Sequence, residues 1–478
     1  MKFTSDIIIG LEVHISLKTQ SKLFCSCKNP SFHGKNIKAN ENVCNICLGY
    51  PGSKPHPNKQ AVLFALKLAN IIGCQIPKKL CFDRKNYFYP DLVKNFQITQ
   101  DEFPIGMGGK IQIGLNEFVK LHHIHIEEDP GSMVISNNTC LIDYNRSGTP
   151  LIELVTNPVM TKPEQAREFL KKLIIILEYL NIFDRYNCTL KADANISIKE
   201  TNYTRVEIKN INGFKDIEQA LEFEINRQKD CVQNNETIKL ETRGWDGTKT
   251  FFQRSKEEAA DYGYYPENDI PPIKITEEII KESMIDCNKD DIYYNKINNI
   301  LEDFDINLED LEIILEDKNL GEFFNEFLNK NCKYENKFNP QLVANYFRNR
   351  IIKILNQMEI NFSKLNFNIN NLTILIKKYL DKIIDNKINN LLLEKVLSES
   401  NFDLIKYIEE NDLEQSSDDS FITDLAKKAI LDNQIAVDAY KNGDLKSINF
   451  LVGVIMKNSR GKANPSTAKQ ILENILNK

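Results

Sequence analysis

The chain has 478 residues, of which 42% are hydrophobic and 27% charged, and a formal net charge of −6. This length accommodates two or three domains with a sizeable core, and no run approaches 18 consecutive apolar residues, so a membrane span is excluded. The acidic balance excludes a uniformly basic coat but not a local basic patch, and eleven cysteines behind a start unlike a signal peptide are expected as reduced thiols in the cytoplasm.

Residues 6–17 open with an apolar run and then alternate. Strand geometry puts Glu12, His14 and Ser16 on one face and Val13, Ile15 and Leu17 on the other. A Glu and a His side by side can ligate a metal, or simply form a polar face. Cys25 and Cys27 are followed, after sixteen residues, by Cys44 and Cys47. Two close thiol pairs can converge on tetrahedral Zn²⁺, with His33 as a substitute ligand; the other reading is four unrelated reduced thiols. Four thiolates would leave no open position, so such a zinc is structural.

Residues 59–72 read as an amphipathic helix. The stretch 82–92 then mixes Arg84 and Lys85 with Phe82, Tyr87, Phe88 and Tyr89 before Pro90, and Lys94 follows. Cations among aromatics suit a phosphate and a flat base, or else ordinary packing under a loop. Glu127, Glu128 and Asp129 end a strand-like run at Pro130-Gly131. Three adjacent carboxylates repel one another, which a bound cation relieves, as can solvation of a strand end. Residues 141–156 read as strand, loop, strand, with Asp143, Asn145, Arg146 and Glu153 at or beside a loop carrying Gly148 and Pro150. The Arg and the loop amides can hold an anion and Glu153 a cation beside it; an ordinary hairpin with surface charges is the alternative.

Thr161-Lys162-Pro163-Glu164 reads as a capping box that starts a helix. Alternation then places Asp193, Asn195 and Ser197 on one face of a strand, and Arg205, Glu207 and Lys209 on one face of the next. Together they make a polar floor suited to a nucleotide. A helix over 215–228 follows, and Pro271-Pro272 marks a boundary. From about residue 275 the chain reads as helices, with a short Ser/Asp linker at 416–420. Residues 440–478 carry seven Lys/Arg against two acids, an asymmetry that suits an RNA backbone or a merely solvated basic helix.

Several of these motifs resemble one family, the B subunits of the aspartyl/glutamyl-tRNA(Asn/Gln) amidotransferases. They are Gly-Leu-Glu-Val-His (10–14), the four cysteines with Leu-Gly-Tyr-Pro-Gly (48–52), Arg-Lys-Asn-Tyr-Phe-Tyr-Pro-Asp-Leu (84–92) and Ile-Glu-Glu-Asp (126–129). Asp-Tyr-Asn-Arg-Ser-Gly-Thr-Pro (143–150), Asp-Ala-Asn-Ile-Ser (193–197), Arg-Val-Glu-Ile-Lys-Asn (205–210), Arg-Ser-Lys-Glu-Glu-Ala (254–259) and the tail over 450–465 continue it. The resemblance is collinear over nearly the whole chain and thin in its Asn/Ile-rich middle.

The resemblance implies an α+β fold: a mostly antiparallel sheet cradle flanked by helices (1–290, with a zinc knuckle at 25–47), a helical domain (291–412) and a small helical tail for tRNA (413–478). It implies ATP-dependent phosphorylation of the side-chain carboxylate of misacylated Glu-tRNA(Gln) or Asp-tRNA(Asn). Amidation follows, with ammonia from the glutaminase, or A, subunit in a heterotrimer completed by the C subunit. His14, Glu127 and Glu153 match the family's Mg²⁺ ligands, and Glu12, Glu128, Asp193 and Glu207 are expected as a second metal or catalytic shell. Arg84, Lys85, Lys94, Asn145, Arg146, Asn195 and Lys209 are expected to bind ATP and substrate, and Lys457, Arg460 and Lys462 to bind tRNA. Val93, Lys191, Ala192 and Gly263 depart from the family pattern. A non-catalytic RNA-binding scaffold and a ligase for a free amino acid are the competing readings. The extra domain of the archaeal glutamine-specific paralogue has no counterpart.

Overall fold

The computed structural model describes residues 6–476 except 35–36, 115, 137–138, 212, 256–262, 288–291, 336, 415–418, 442–443 and 460–461. Most of the Arg254–Ala259 motif, most of the expected linker and Arg460 therefore lie outside the described residues. The chain divides into two compact units, Met1–Lys296 and Ile297–Lys478.

The first unit is built on strands β1 (Ile7–Ser16), β2 (Lys79–Leu80), β3 (Asp83–Asn86), β4 (Phe96–Thr99), β5 (Gly106–Met107), β6 (Lys110–Gly114) and β7 (Glu117–Glu128). Then come β8 (Ser132–Ser136), β9 (Thr139–Asp143), β10 (Pro150–Thr156), β11 (Leu190–Ile198), β12 (Val206–Ile211), β13 (Glu241–Trp245) and β14 (Thr250–Ser255). A nine-stranded sheet runs β14-β13-β12-β11-β1-β10-β7-β5, with β6 also on β7. Its described pairings are antiparallel except β12 with β13.

The two-residue period of β1 decides which face does what. Ile9, Leu11, Val13 and Ile15 are buried in one hydrophobic core with Phe169, Leu173, Leu177, Ile217 and Leu221 of two helices. Each such side chain contributes roughly 1.5–3 kcal/mol by leaving water. Glu12 and His14 are thereby turned to the opposite face. The strand, loop, strand at 141–156 is present, but it is no hairpin. β9 pairs with β8, whereas β10 inserts between β1 and β7.

The helices over 59–72 and 215–228 form as Lys59–Ile71 and Phe214–Gln233. The capping box slips by one residue. Pro163 takes the first helical position, and Gln165 Oε1 accepts from the backbone N–H of Thr161 (2.7 Å) and Lys162 (3.1 Å). The proline ring fixes where the helix starts, and the side chain three residues after the cap does the capping.

The second unit is helical. One part packs Phe323, Phe324, Phe327, Phe347, Phe362 and Phe367 edge to face, tilted or stacked. The C-terminal part has its own core of Ile422, Ala426, Val437, Leu451, Ile455 and Leu472. Among the described residues no helix is long and apolar enough to cross a membrane.

Candidate active site

Register across the polar face of the sheet assembles the site. Lys191, His14, Glu153 and His125 stand opposite one another on β11, β1, β10 and β7, and Glu127 follows His125 by one strand period. His14 Nε2 lies 3.6 Å from Glu127 and 3.3 Å from Glu153. His125 Nε2 lies 3.5 Å from each of the same carboxylates. Thr99 donates to Glu127 at 3.3 Å and helps fix its direction.

The charges fit a cation. Burial works against protonated His14, but Glu153, Glu127 and Asp193 outweigh it and hold its pKa up at about 9. His125 is held at about 10 by the same contest between burial and the two glutamates. Glu153 is pulled well below the carboxylate range by the two imidazoles, against its own burial. The negative field that holds protons here favours any cation, and a metal would displace the proton from His14 to bind it. Ligand atoms of His14, Glu127 and Glu153 all lie within 4.8 Å of one another, which small inward movements close to the spacing of ~3 Å between neighbouring ligands of a six-coordinate cation.

Beside this cluster lies a cleft of about 540 Å³ lined also by Lys85, Tyr87, Arg146, Lys191, Asp193 and Lys209. Lys209 Nζ meets Asp193 at 2.5 Å and Glu207 at 3.6 Å. These charges raise the Lys209 pKa although burial opposes it, so the ammonium stays charged in the cleft. Arg146 donates to the carbonyls of Pro130 (3.1 Å) and Gly131 (2.5 Å) and forms an ion pair with Asp129 at 3.2 Å. A guanidinium so tethered is a preset anion contact.

Strand alternation sorts the expected residues into two pockets. Lys85 and Glu127 face the cleft. Their neighbours Arg84 and Glu128 line a second pocket of about 220 Å³ with Lys94 and the cysteine region. There Arg84 forms a two-point pair with Glu267 (2.7 and 2.9 Å) over the ring of Phe96, and Glu128 takes Lys94 and the backbone N–H of Ile98. Gly49, with φ +67°, lets Lys94 in: a Cβ there would lie 2.3 Å from Lys94 Cγ.

Other expected site residues are bonded to protein partners. Asn195 donates to Glu12 at 3.0 Å, and Glu207 is buried and accepts from Thr242 at 2.7 Å. Asn145 is buried and holds the cysteine loop, accepting from Asn42 N–H (2.8 Å) and donating to Lys38 O (2.7 Å).

Sequence reading missed His125, whose signal was the period-two series His123, His125, Glu127. It also passed over Asp129 as a cleft residue, and it set Lys191 aside as a departure, although its register opposite His14 puts it in the cleft.

Cys25, Cys27, Cys44 and Cys47 come together with every Sγ within 4.8 Å of the others. Cys44 and Cys47 sulfurs are 3.8 Å apart, the edge of a tetrahedron whose centre is ~2.3 Å from each sulfur. The donor set fits Zn²⁺. Cys47 is held low, at about 5, chiefly by its hydrogen bond with Cys25, with the backbone N–H of Cys44 and the charge of Lys22 helping against burial. Cys27 is pushed up to about 11 by burial.

In the second unit Lys457 is exposed, and Lys462 pairs with Asp412 in an exposed contact of little energetic weight.

Two carboxylates and an imidazole on a sheet, with lysines and an arginine lining the same cleft, suit an enzyme of the phosphoryl- or acyl-transfer class. Comparison with known proteins narrows this. Residues 7–281 match the GatB/GatE catalytic domain and residues 322–476 the GatB domain. The chain is 37% identical over 483 residues to the aspartyl/glutamyl-tRNA(Asn/Gln) amidotransferase B subunit of Clostridium tetani, covering 98% of each chain. It is 36% identical to the protein of the same name from Thermotoga petrophila (98% of each chain) and 38% identical to that of Lachnoclostridium phytofermentans (99% of each). The chain belongs to the GatB/GatE family.

Proposed function

We infer that this chain is the ATP-using subunit of a tRNA-dependent amidotransferase, a ligase that amidates the side-chain carboxylate of misacylated Glu-tRNA(Gln) or Asp-tRNA(Asn). The observation that carries the reading is the convergence of His14, Glu127 and Glu153, from three neighbouring strands, on a cleft rimmed with cations. A carboxylate oxygen is a poor leaving group. Transfer of the terminal phosphoryl group of ATP to it gives an acyl phosphate, which ammonia attacks with loss of phosphate.

Both substrates of the first step are anions, so their approach needs positive charge. His14, Glu127 and Glu153 would hold Mg²⁺, which when bound supplies charge neutralisation at the phosphates. Lys85, Arg146, Lys191 and Lys209 supply the fixed part. Lys209, braced by Asp193 and Glu207, and Arg146, braced by Asp129 and two carbonyls, pre-orient donors towards the phosphates and the substrate carboxylate. Arg84 and Lys94, engaged with Glu267 and Glu128, brace the wall between cleft and cysteine knuckle.

Nitrogen comes from elsewhere. Of the seven cysteines outside the knuckle, burial pushes the thiols of Cys74, Cys188 and Cys332 up, to about 12, 11 and 11, the opposite of an activated nucleophile. We assign glutamine hydrolysis to a partner glutaminase, the A subunit, joined by the C subunit. The tail, with Lys457, Arg460 and Lys462, takes the tRNA backbone as a part distinct from the helices before residue 413. Glu153→Gln keeps the shape of the cluster and removes one charge. Its ATP- and tRNA-dependent amidation should drop about 10²–10³-fold with the fold intact by circular dichroism. Unchanged amidation would remove Glu153 from the site.

A further inference from the structure

Lys22 is among the largest fully buried side chains of the protein, at 0% exposure. Its ammonium meets the carbonyl of Asn42 at 2.9 Å and Cys47 Sγ at 3.8 Å, and among the described residues it has no carboxylate within ion-pair distance. A buried ammonium without a counter-ion costs several kcal/mol, and proteins seldom keep one. The nearby group able to carry balancing negative charge is the Cys47 sulfur, one of the four in the cysteine cluster. Four thiolates around one Zn²⁺ would carry a net charge of −2, which burial penalises in turn at Cys47, the buried member of the set. Each charge answers the other's cost.

We infer that Lys22 is the built-in counter-ion of the cysteine metal centre, so that retention of zinc by this chain depends on a charge outside the ligand set. The inference rests on the reading of the four cysteines as a zinc site. Lys22 also joins the centre to the cleft. Its methylene stem runs past Gly148, where an added Cβ would meet Lys22 Cδ at 3.6 Å, and the next residue, Leu23, donates its N–H to Gly148 O at 2.8 Å. Gly148 ends the loop that presents Arg146 to the cleft, and Asn42, whose carbonyl Lys22 holds, is bonded to Asn145 of that loop. One side chain thus ties the charge of the knuckle to the position of the cleft's arginine.

The test compares full-length wild type, Lys22→Met and Lys22→Arg, each zinc-loaded, by metal analysis and by competition with a chromogenic chelator. Partners outside the ligand set typically carry 10–100-fold in metal affinity. Lys22→Met should therefore hold zinc at least tenfold more weakly, while Lys22→Arg, which keeps the charge, stays within a few-fold of wild type. In the cobalt-substituted proteins, loss of the cation beside Cys47 should move the thiolate-to-metal charge-transfer bands of Lys22→Met to longer wavelength. If Lys22→Met does not fold, Lys22→Gln, which keeps a donor for the Asn42 carbonyl without the charge, carries the same measurements. Equal zinc affinity and unmoved bands in the neutral variant would overturn the inference. So would an equal loss in Lys22→Arg and Lys22→Met, which would show that shape and not charge matters. Wild-type protein that binds no zinc would instead overturn the reading of the cysteines as a zinc site.

Discussion

The cysteine knuckle and the cleft are two ligand clusters made by opposite routes. The knuckle draws its four sulfurs from 23 consecutive residues, and each pair is brought together by the local turn it sits in. The cleft draws His14, Glu127 and Glu153 from strands spread over 140 residues, and the register of β1, β10 and β7 brings them together. A locally made cluster can lose its ion and leave the sheet standing. A cluster made by register is already in place before any ion arrives, and damage to it is felt in chemistry before it is felt in folding.

That contrast can be broken most forcefully at Glu127. Glu127→Gln removes one charge from the cleft cluster and keeps the amide oxygen as an acceptor for Thr99. Amidation should fall about 10²–10³-fold while the thermal midpoint stays within a few degrees of wild type. A variant that melts early and retains turnover would reverse the assignment of roles.

Zinc removal comes next. Stripping the metal with a chelator should loosen residues 25–47 and the loop carrying Arg146, seen as faster amide hydrogen exchange there and not in β1, β10 or β11. Turnover should drop about 10–100-fold and return when zinc is restored. Uniform exchange across the sheet would mean that the knuckle holds the whole fold.

Lys209 is a milder case, one charged donor among several. Lys209→Met should lose about tenfold in turnover, ~1.4 kcal/mol, with a larger loss for ATP than for tRNA affinity. The tail is milder still. Lys457→Ala should leave ATP turnover at saturating tRNA unchanged and lower the salt dependence of tRNA binding by about one unit of slope. An unchanged slope would make Lys457 a bystander.

The knuckle was legible because four thiols at short spacings are rare without a metal. The alternation of β1, β11 and β12 was legible too, and with it the face carrying Glu12, His14, Asp193 and Lys209. Residue type could not tell which of two adjacent polar residues faces the cleft. Glu127 and Glu128, or Arg84 and Lys85, look alike in the sequence, and the strand period sends them to different pockets. Asn145 reads as a loop amide beside an anion site, and its hold on the cysteine loop was not legible because its partners at Lys38 and Asn42 lie about a hundred residues away. His125 went unread because three histidines in four residues look like a polar run until β10 sets Glu153 opposite the last of them.

The central claim is that the cleft of this chain activates a carboxylate with ATP and leaves the supply of nitrogen to a partner. It is tested most directly by giving the purified chain misacylated Glu-tRNA(Gln), Mg²⁺ and ammonium chloride, with and without ATP, and measuring Gln-tRNA and ADP together. The account predicts that Gln-tRNA forms only with ATP, with one ADP for each amide, and that glutamine does not replace ammonium. Amide formed without ATP, or formed from glutamine by this chain alone, would contradict it.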